Sequence, residues 1–357
     1  MRRTSRASWE AELPSRLRDF PLSAELHLKF LGFRLDVRTN SLRVASRLAS
    51  YFGGYLVAPG TAAPDRLLLA VQTRPDYDAA SMQVWQRATS GRPPKESYYD
   101  RGGKRYILKN RTGVLIELAP EYAAIVGDVE RYVNQVVNLA GTLFGLSLVE
   151  RGYAMVHASA VVRADSDEAT IFLGNSGSGK SSLALQLIER GGFDYVSNDR
   201  VLLKTRRSGV EVVGLPKKPR VNPGTLLASD ALMRLLPASK RPMYEGMAPS
   251  ELWGVEDKHD VDVGEVLGAR ERLSGQLAQA YSLEWKPGGD GLQTAPLSAD
   301  DALQALRNTA KDFGPFDPQR GERDAEREYG RIARAVAFTR VTGASDPRRL
   351  ARELGKP

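Results

Sequence analysis

The run Gly174-Asn175-Ser176-Gly177-Ser178-Gly179-Lys180-Ser181 fits the pattern G-x-x-x-x-G-K-[ST]. The chemistry that asks for these residue types at this spacing is the holding of a nucleotide polyphosphate. Dense negative charge is met best by backbone amides converging from several directions, and glycines at 174, 177 and 179 leave the loop free to wrap. The start of a following helix favours an anion, Lys180 brings a point charge toward the β and γ oxygens, and Ser181 offers a hydroxyl to Mg²⁺. An ordinary glycine-rich turn would leave Lys180 and Ser181 unexplained in this register. Gly174 through Ser182 are therefore the expected nucleotide-binding residues.

A second contact to the metal is expected from an acidic strand end. The run FDYVSND ends at Asp199, eighteen residues after Ser181, an interval that holds one helix and one short strand. Ser181 and Asp199 are the expected metal ligands, with a turn aspartate capping the Asn198 to Arg200 bend as the plainer alternative. His157 stands on a mixed strand face with Met155, Ser159 and Val161, and alternation alone does not decide between a structural and a functional histidine. His27 reads as structural. His259 alternates away from Asp260 and Asp262, so no metal is expected there. Lys217, Lys218 and Arg220 form a basic turn that suits a solvated loop as well as contact with a γ-phosphate or an acidic partner.

The elements that must position these residues follow from pattern. One strand is expected over Ala154 to Arg163, a second over Ala169 to Leu173 leading into the loop, and a helix over Lys180 to Arg190 closed by Gly191 and Gly192. A strand at Phe193 to Ser197 and a hairpin of Val201 to Lys204 with Val210 to Val213 come next. Upstream, Ala24 to Val37 alternates like a half-buried strand, Asn40 and Ser41 offer a cap to a helix over Leu42 to Tyr51, and Arg66 to Val71 reads as a strand. Gly91 to Lys104 reads as an exposed loop, and KRYILKN with GVLIELAP as a hairpin. Apolar residues stepping by three and four from Asp128 to Leu148 predict one long helix.

Beyond the hairpin, turns and short helices are expected over Pro216 to Trp253, a strand over Gln276 to Trp285 and a loop over Gly288 to Gly291. Helices over Asp300 to Lys311 and Glu322 to Arg334, a strand over Ala335 to Val341 and a helix near Pro347 to Leu354 close the chain. This order divides it into an N-terminal α+β domain (1–125), a connecting helix (126–150) and an α/β domain (151–357).

Its 357 residues give room for two domains, and 42% hydrophobic against 26% charged residues is a globular balance. The absence of cysteine rules out a disulfide framework, a thiolate zinc site and a cysteine nucleophile, and fits a reducing cytoplasm. Behind the charges of MRRTSRASWEAEL there is no apolar stretch, and the window Val136 to Val149 is short and interrupted, so neither a signal peptide nor a membrane span is expected. The net charge of +8 favours anionic partners. No zinc-finger spacing or RNA-binding aromatic motif accompanies it, so nucleic-acid recognition is not expected.

HASAVV from His157, GNSGSGKSSLALQLIERG from Gly174 and YVSNDRVLL from Tyr195 together resemble the kinase domain of the HPr kinase/phosphorylase superfamily, most of all the HprK-related kinase B subgroup. The motif-bearing likeness spans residues 150–225. The resemblance implies an α/β P-loop kinase fold shared with phosphoenolpyruvate carboxykinase, ATP with Mg²⁺, and transfer of the γ-phosphate to a hydroxyl, usually a protein serine. A small-molecule hydroxyl kinase and a nucleotide-gated scaffold without transfer remain the other classes. By position it implies catalytic roles for His157, Lys180 and Asp199. Asn198 stands where the family has its general-base aspartate, which makes His157 the expected replacement base. No counterpart of the family's C-terminal arginine signature for phosphorolysis is present. The resemblance also implies an ATP-grasp enzyme of the same system as a partner, and a homo-oligomer with subunit contacts in 299–357.

Overall fold

The computed structural model describes residues 21–60, 62–85, 94–285, 291–317 and 325–355. The opening residues 1–20, most of the expected loop at 288–291 and the start of the helix expected from Glu322 lie outside them. The chain divides into two units, Met1–Ser147 with Phe313–Gly321, and Leu148–Asp312 with Glu322–Pro357. Sequence order puts all of 151–357 in one domain, but the segment beginning at Phe313 groups with the first unit. The reason is local: Lys109 lies over the Phe316 ring at 4.6 Å, and the Arg105 guanidinium donates to Pro315 O at 3.2 Å.

In the first unit, the strand expected over Ala24 to Val37 is two, β1 (Ala24–Phe30) and β2 (Phe33–Thr39), paired antiparallel. The buried positions slip by one residue across Leu31 and Gly32, and Leu31 takes a φ of 54°, so the chain reverses there. Helix α1 (Leu42–Tyr51) starts as expected on Ser41, whose hydroxyl accepts from the Val44 N–H and so satisfies one orphan donor of the first turn. Then come β3 (Arg66–Gln72), β4 (Gln83–Trp85), β5 (Glu96–Arg101), β6 (Lys104–Lys109), β7 (Val114–Leu118), β8 (Tyr122–Gly127) and helix α2 (Val133–Glu150).

The sheet order is β1-β2-β3-β8-β7-β6-β5-β4. Strand β3 pairs parallel with both β2 and β8, and its unbroken run Leu67–Val71 is buried, as a central parallel strand requires. Strand β5 replaces part of the expected loop. Its polar Glu-Ser-Tyr-Tyr-Asp sequence hides its pairing with β6, where Tyr99 stacks on Tyr106 at 4.7 Å.

The second unit carries β9 (Ala154–Val156), β10 (Ala158–Arg163), β11 (Glu168–Leu173), helix α3 (Lys180–Glu189), β12 (Phe193–Ser197), β13 (Val201–Arg206) and β14 (Gly209–Gly214). After β15 (Arg220–Val221) come short helices α4 (Pro223–Leu227), α5 (Asp230–Met233), α6 (Arg241–Glu245) and α7 (Pro249–Gly254). Strand β16 (His259–Asp260), helix α8 (Val263–Leu267), β17 (Ser274–Leu283), β18 (Leu292–Pro296), α9 (Ala299–Asn308), α10 (Ala325–Ala335), β19 (Phe338–Gly343) and α11 (Pro347–Leu354) complete it. No helix among the described residues is long and apolar enough to cross a membrane.

The large sheet runs β12-β10-β11-β17-β14-β13-β9, with β19 pairing both β17 and β18. This is a mixed α/β layer structure. One face, including Val156, Ala158, Ala160 and Ile171, packs against Ala302 and Leu306 of α9 and Tyr329 and Ile332 of α10. The other, including Val161 and Phe172, packs against Leu183 and Leu187 of α3 and Leu350 of α11. The single strand expected over Ala154 to Arg163 is broken at His157. Strand β9 pairs with β13, while β10 pairs with β11 and β12, so two strands consecutive in the chain stand near opposite ends of the strand order. The sheet therefore bends back on itself, with His157 at the crossing.

That bend brings the ends of β12 and β14 together. At Gly214 an added Cβ would lie 2.1 Å from Val196 O, a backbone atom that has no rotamer to yield. Gly214→Ala is expected to destabilise the protein by about 1–3 kcal/mol through overpacking, measured by urea denaturation. An unchanged midpoint would contradict the approach of the two strands.

Candidate nucleotide-binding site

Strand β11 ends at the buried Leu173 and hands the chain to a loop wound by its glycines. Gly174 has φ 146°, and a Cβ there would lie 2.9 Å from Leu283 O on the adjoining β17, so a side chain has neither the backbone angle nor the space. Gly179 is the N-cap of α3 at φ 79°. Trp285 lies against it, and its indole N–H donates to Ser178 O at 2.7 Å, pinning the loop from outside.

Lys180 is only 5% exposed. Its ammonium donates to the carbonyls of Gly174 and Asn175, both at 2.7 Å, so the side chain lies back across its own loop. Burial first, and then the nearby Lys311 charge, bring its pKa down to about 8 against the pull of Asp199. The Ser181 hydroxyl donates to Asn198 O at 3.3 Å, which ties the start of α3 to the end of β12. Ser182 is buried and turned away, its hydroxyl sharing a hydrogen bond with Thr225 at 2.8 Å.

The structure brings Asp199 and His157 to the same place. Asp199 Oδ1 lies 2.7 Å from the Lys311 ammonium and 3.6 Å from His157 Nε2, and its other oxygen is 3.8 Å from Arg200 Nε. Desolvation alone would raise its pKa, but Lys311, Arg200 and His157 outweigh that and hold it at about 2. Burial, reinforced by Lys180 and Lys311, lowers the His157 pKa to about 4 despite the Asp199 carboxylate. His157 is therefore a neutral imidazole at neutral pH. Its backbone N–H donates to Thr309 O at 2.6 Å, which fixes the strand break that presents it.

Asn198 is braced through both ends of its amide. Nδ2 donates to Arg220 O at 3.2 Å, and Oδ1 accepts from the Tyr195 hydroxyl at 3.3 Å. A carboxylate has no donor for the first of these bonds. Of the basic turn, Lys218 pairs with Asp262 at 2.5 Å and Arg220 with Asp260 at 2.8 Å. Lys217 has no carboxylate partner among the described residues, and burial lowers its pKa to about 8, with Asp199 pulling the other way.

The donors present suit Mg²⁺. Asp199 offers one carboxylate and Ser181, bonded to the carbonyl of the residue before Asp199, one hydroxyl, the kinds of ligand a magnesium ion takes when waters and phosphate oxygens fill its remaining positions. The other histidines stay outside the site. His27 pairs across β1 and β2 with Asp36 at 2.8 Å, and His259 lies 3.4 Å from Asp257.

Lys311 and Trp285 are the site residues that sequence reasoning missed. Lys311 lies 112 residues beyond Asp199 with no motif around it, and reads as the last residue of an amphipathic helix. Trp285 ends a run legible as a strand, and its type, a large ring with one donor, was the available signal.

No protein-family model matches this chain, and no curated protein matches it. Among solved structures it is similar to the HPr(Ser) kinase/phosphatase from Coxiella burnetii, at 11% identity over 56% of this chain and 91% of that one, with a TM-score of 0.28. A likeness of that size carries no weight for the chemistry of this chain, which is read from its own residues.

Proposed function

We propose that this chain is an ATP-dependent, Mg²⁺-using kinase of the HPr kinase-related kind that transfers a γ-phosphate to a hydroxyl, a serine of a partner protein or peptide. The observation that carries this reading is the convergence of a glycine-wound loop and its buried Lys180 on a strand end with one carboxylate, Asp199, and one neutral imidazole, His157. An ATP-grasp enzyme as dedicated partner and a homo-oligomer built through 299–357 belong to the same proposal, and the resemblance of the motifs supports them.

In this reading Lys180 and the loop amides hold the phosphates, and Mg²⁺, when bound through Ser181 and Asp199, neutralises and orients them. His157 accepts the proton of the attacking hydroxyl. Its low proton affinity in the free protein follows from burial and from the charges of Lys180 and Lys311. Phosphate oxygens would balance those two ammonium groups and return the imidazole toward its ordinary range, so the base gains strength only when the donor is in place. Because phosphoryl transfer has a loose transition state, charge neutralisation and positioning carry most of the rate, and Asn198 is compatible with activity.

A second reading, a nucleotide-gated scaffold without transfer, draws on the bracing of Asn198, which puts a structural amide where a base would stand. Asn198→Asp separates the two. A gain in phosphoryl transfer, with His157→Ala silent, favours the scaffold.

Lys180→Ala is expected to weaken ATP binding or turnover roughly 10-fold or more, the scale of a lost charge-assisted contact, followed by calorimetry and a γ-phosphate transfer assay. Unchanged binding and turnover would remove the nucleotide assignment. His157→Ala is expected to lower turnover roughly 10²-fold with ATP affinity nearly intact, as for a general base.

The imidazole itself gives a pH readout. The sign is that of a depressed histidine pKa: the free protein keeps His157 neutral until pH falls to about 4, well below its ordinary 6.5. Ring-proton NMR is expected to show that midpoint in the free protein and a higher one with an ATP analogue bound. A midpoint near 6.5 without nucleotide would contradict the lowering by burial and by the lysines alike.

A further inference from the structure

We infer that Lys311 is a tethered counter-ion that holds Asp199 closed to free divalent cations until a nucleotide draws the lysine away. The inference deepens the kinase reading and rests on it. The Lys311 ammonium sits 2.7 Å from Asp199 Oδ1, on the carboxylate that the metal would use.

Its placement is built into the backbone. Directly after α9, Thr309 O accepts from the His157 N–H at 2.6 Å, Ala310 bridges Val156, and the Lys311 N–H donates to Met155 O at 3.0 Å. Three successive residues are thus zipped along 155–157, the stretch that contains the strand break. Thr309 is buried and turns its hydroxyl back to Ala305 O at 2.8 Å, which closes the helix end. An exposed lysine pair is worth little because two long side chains must be ordered to make it. Here the Lys311 main chain is already fixed by the 309–311 pairing, so only the side chain must be ordered, 29% exposed against 54% for Asp199.

Asp199 is the carboxylate within ion-pair reach of Lys311 among the described residues. An ammonium and a divalent cation repel at this range and compete for the same oxygen. A metal arriving alone must therefore expel Lys311 into a surrounding of like charge, with Arg200 on the same carboxylate and Lys180 and Lys258 close enough to perturb the same groups. A metal arriving with a polyphosphate brings anionic oxygens that give Lys311 another partner. Metal and nucleotide then bind together, and the metal alone binds weakly.

Mn²⁺ is the probe, with free ion measured by electron paramagnetic resonance in wild type, Lys311→Met, Lys311→Arg and Lys311→Met/Asp199→Asn. Without nucleotide, Lys311→Met is expected to bind Mn²⁺ at least 10-fold more tightly than wild type. Lys311→Arg, which keeps the charge, is expected to stay near wild type, and the double variant to lose the gain. Equal Mn²⁺ affinity in wild type and Lys311→Met, both with native thermal melts, would overturn the inference, as would a gain that survives Asp199→Asn.

A separate titration with a fluorescent ATP analogue in wild type tests the underlying reading. Absence of binding there, with or without Mn²⁺, defeats the nucleotide site, while the nucleotide-free Mn²⁺ comparison still decides the role of Lys311.

Discussion

Positive charge in excess of its partners is the condition around which the second unit is arranged. Lys180, Arg200, Lys217 and Lys311 act on Asp199, a single carboxylate at the end of β12. Bringing cations together costs free energy, and the proton affinities of Lys180, Lys217 and Lys311 fall below their ordinary values, first through burial. The neutral state of His157 follows from the same surroundings. In the proposed reading a polyphosphate would add negative charge to this cluster.

Something must hold the cluster together, and the apolar layers on both faces of the large sheet do so. Val156 and Ala158 flank His157 and are fully buried, so the strand break is clamped from either side. Leu183 and Leu187 fix α3 against Val161 and Phe172, which sets the direction in which the loop opens. The polar residues gain their positions from this packing. Asn198 locks the end of β12 to Arg220 and Tyr195, and its carbonyl receives the Ser181 hydroxyl, so the strand end and the start of α3 share one brace.

The braced amide also bears on why this position is not a carboxylate. An aspartate at 198 would lose the bond to Arg220 O and set a second negative charge beside Asp199. Structure and catalysis pull on this residue in different directions. The chain uses it as a joint, and in the proposed kinase reading the base role falls to His157, held by the strand break.

The loop, its leading strand and its trailing helix were legible from residue type and spacing, because each depends on neighbours a few positions away. Glycine at 174 and 179 is required by local backbone angles and close approach, Lys180 and Ser181 fall in a fixed register with them, and Ser41 announces its helix three residues ahead of the N–H it accepts. The reversal at Leu31 also left a local trace, a one-residue slip in alternation. Other features left none. Apolar residues run past His157 without interruption because β9 and β10 are both buried, although they pair with different strands. Strand β5 is polar, and only its pairing with β4 and β6 makes it a strand. Lys311 reaches Asp199 because the 309–311 backbone pairs with 155–157, and the segment from Phe313 joins the first unit through the rings and cations it meets there. Local conformational rules write themselves into composition and period, whereas pairing between distant segments depends on which surfaces the folded chain brings together, and only the tertiary structure decides that.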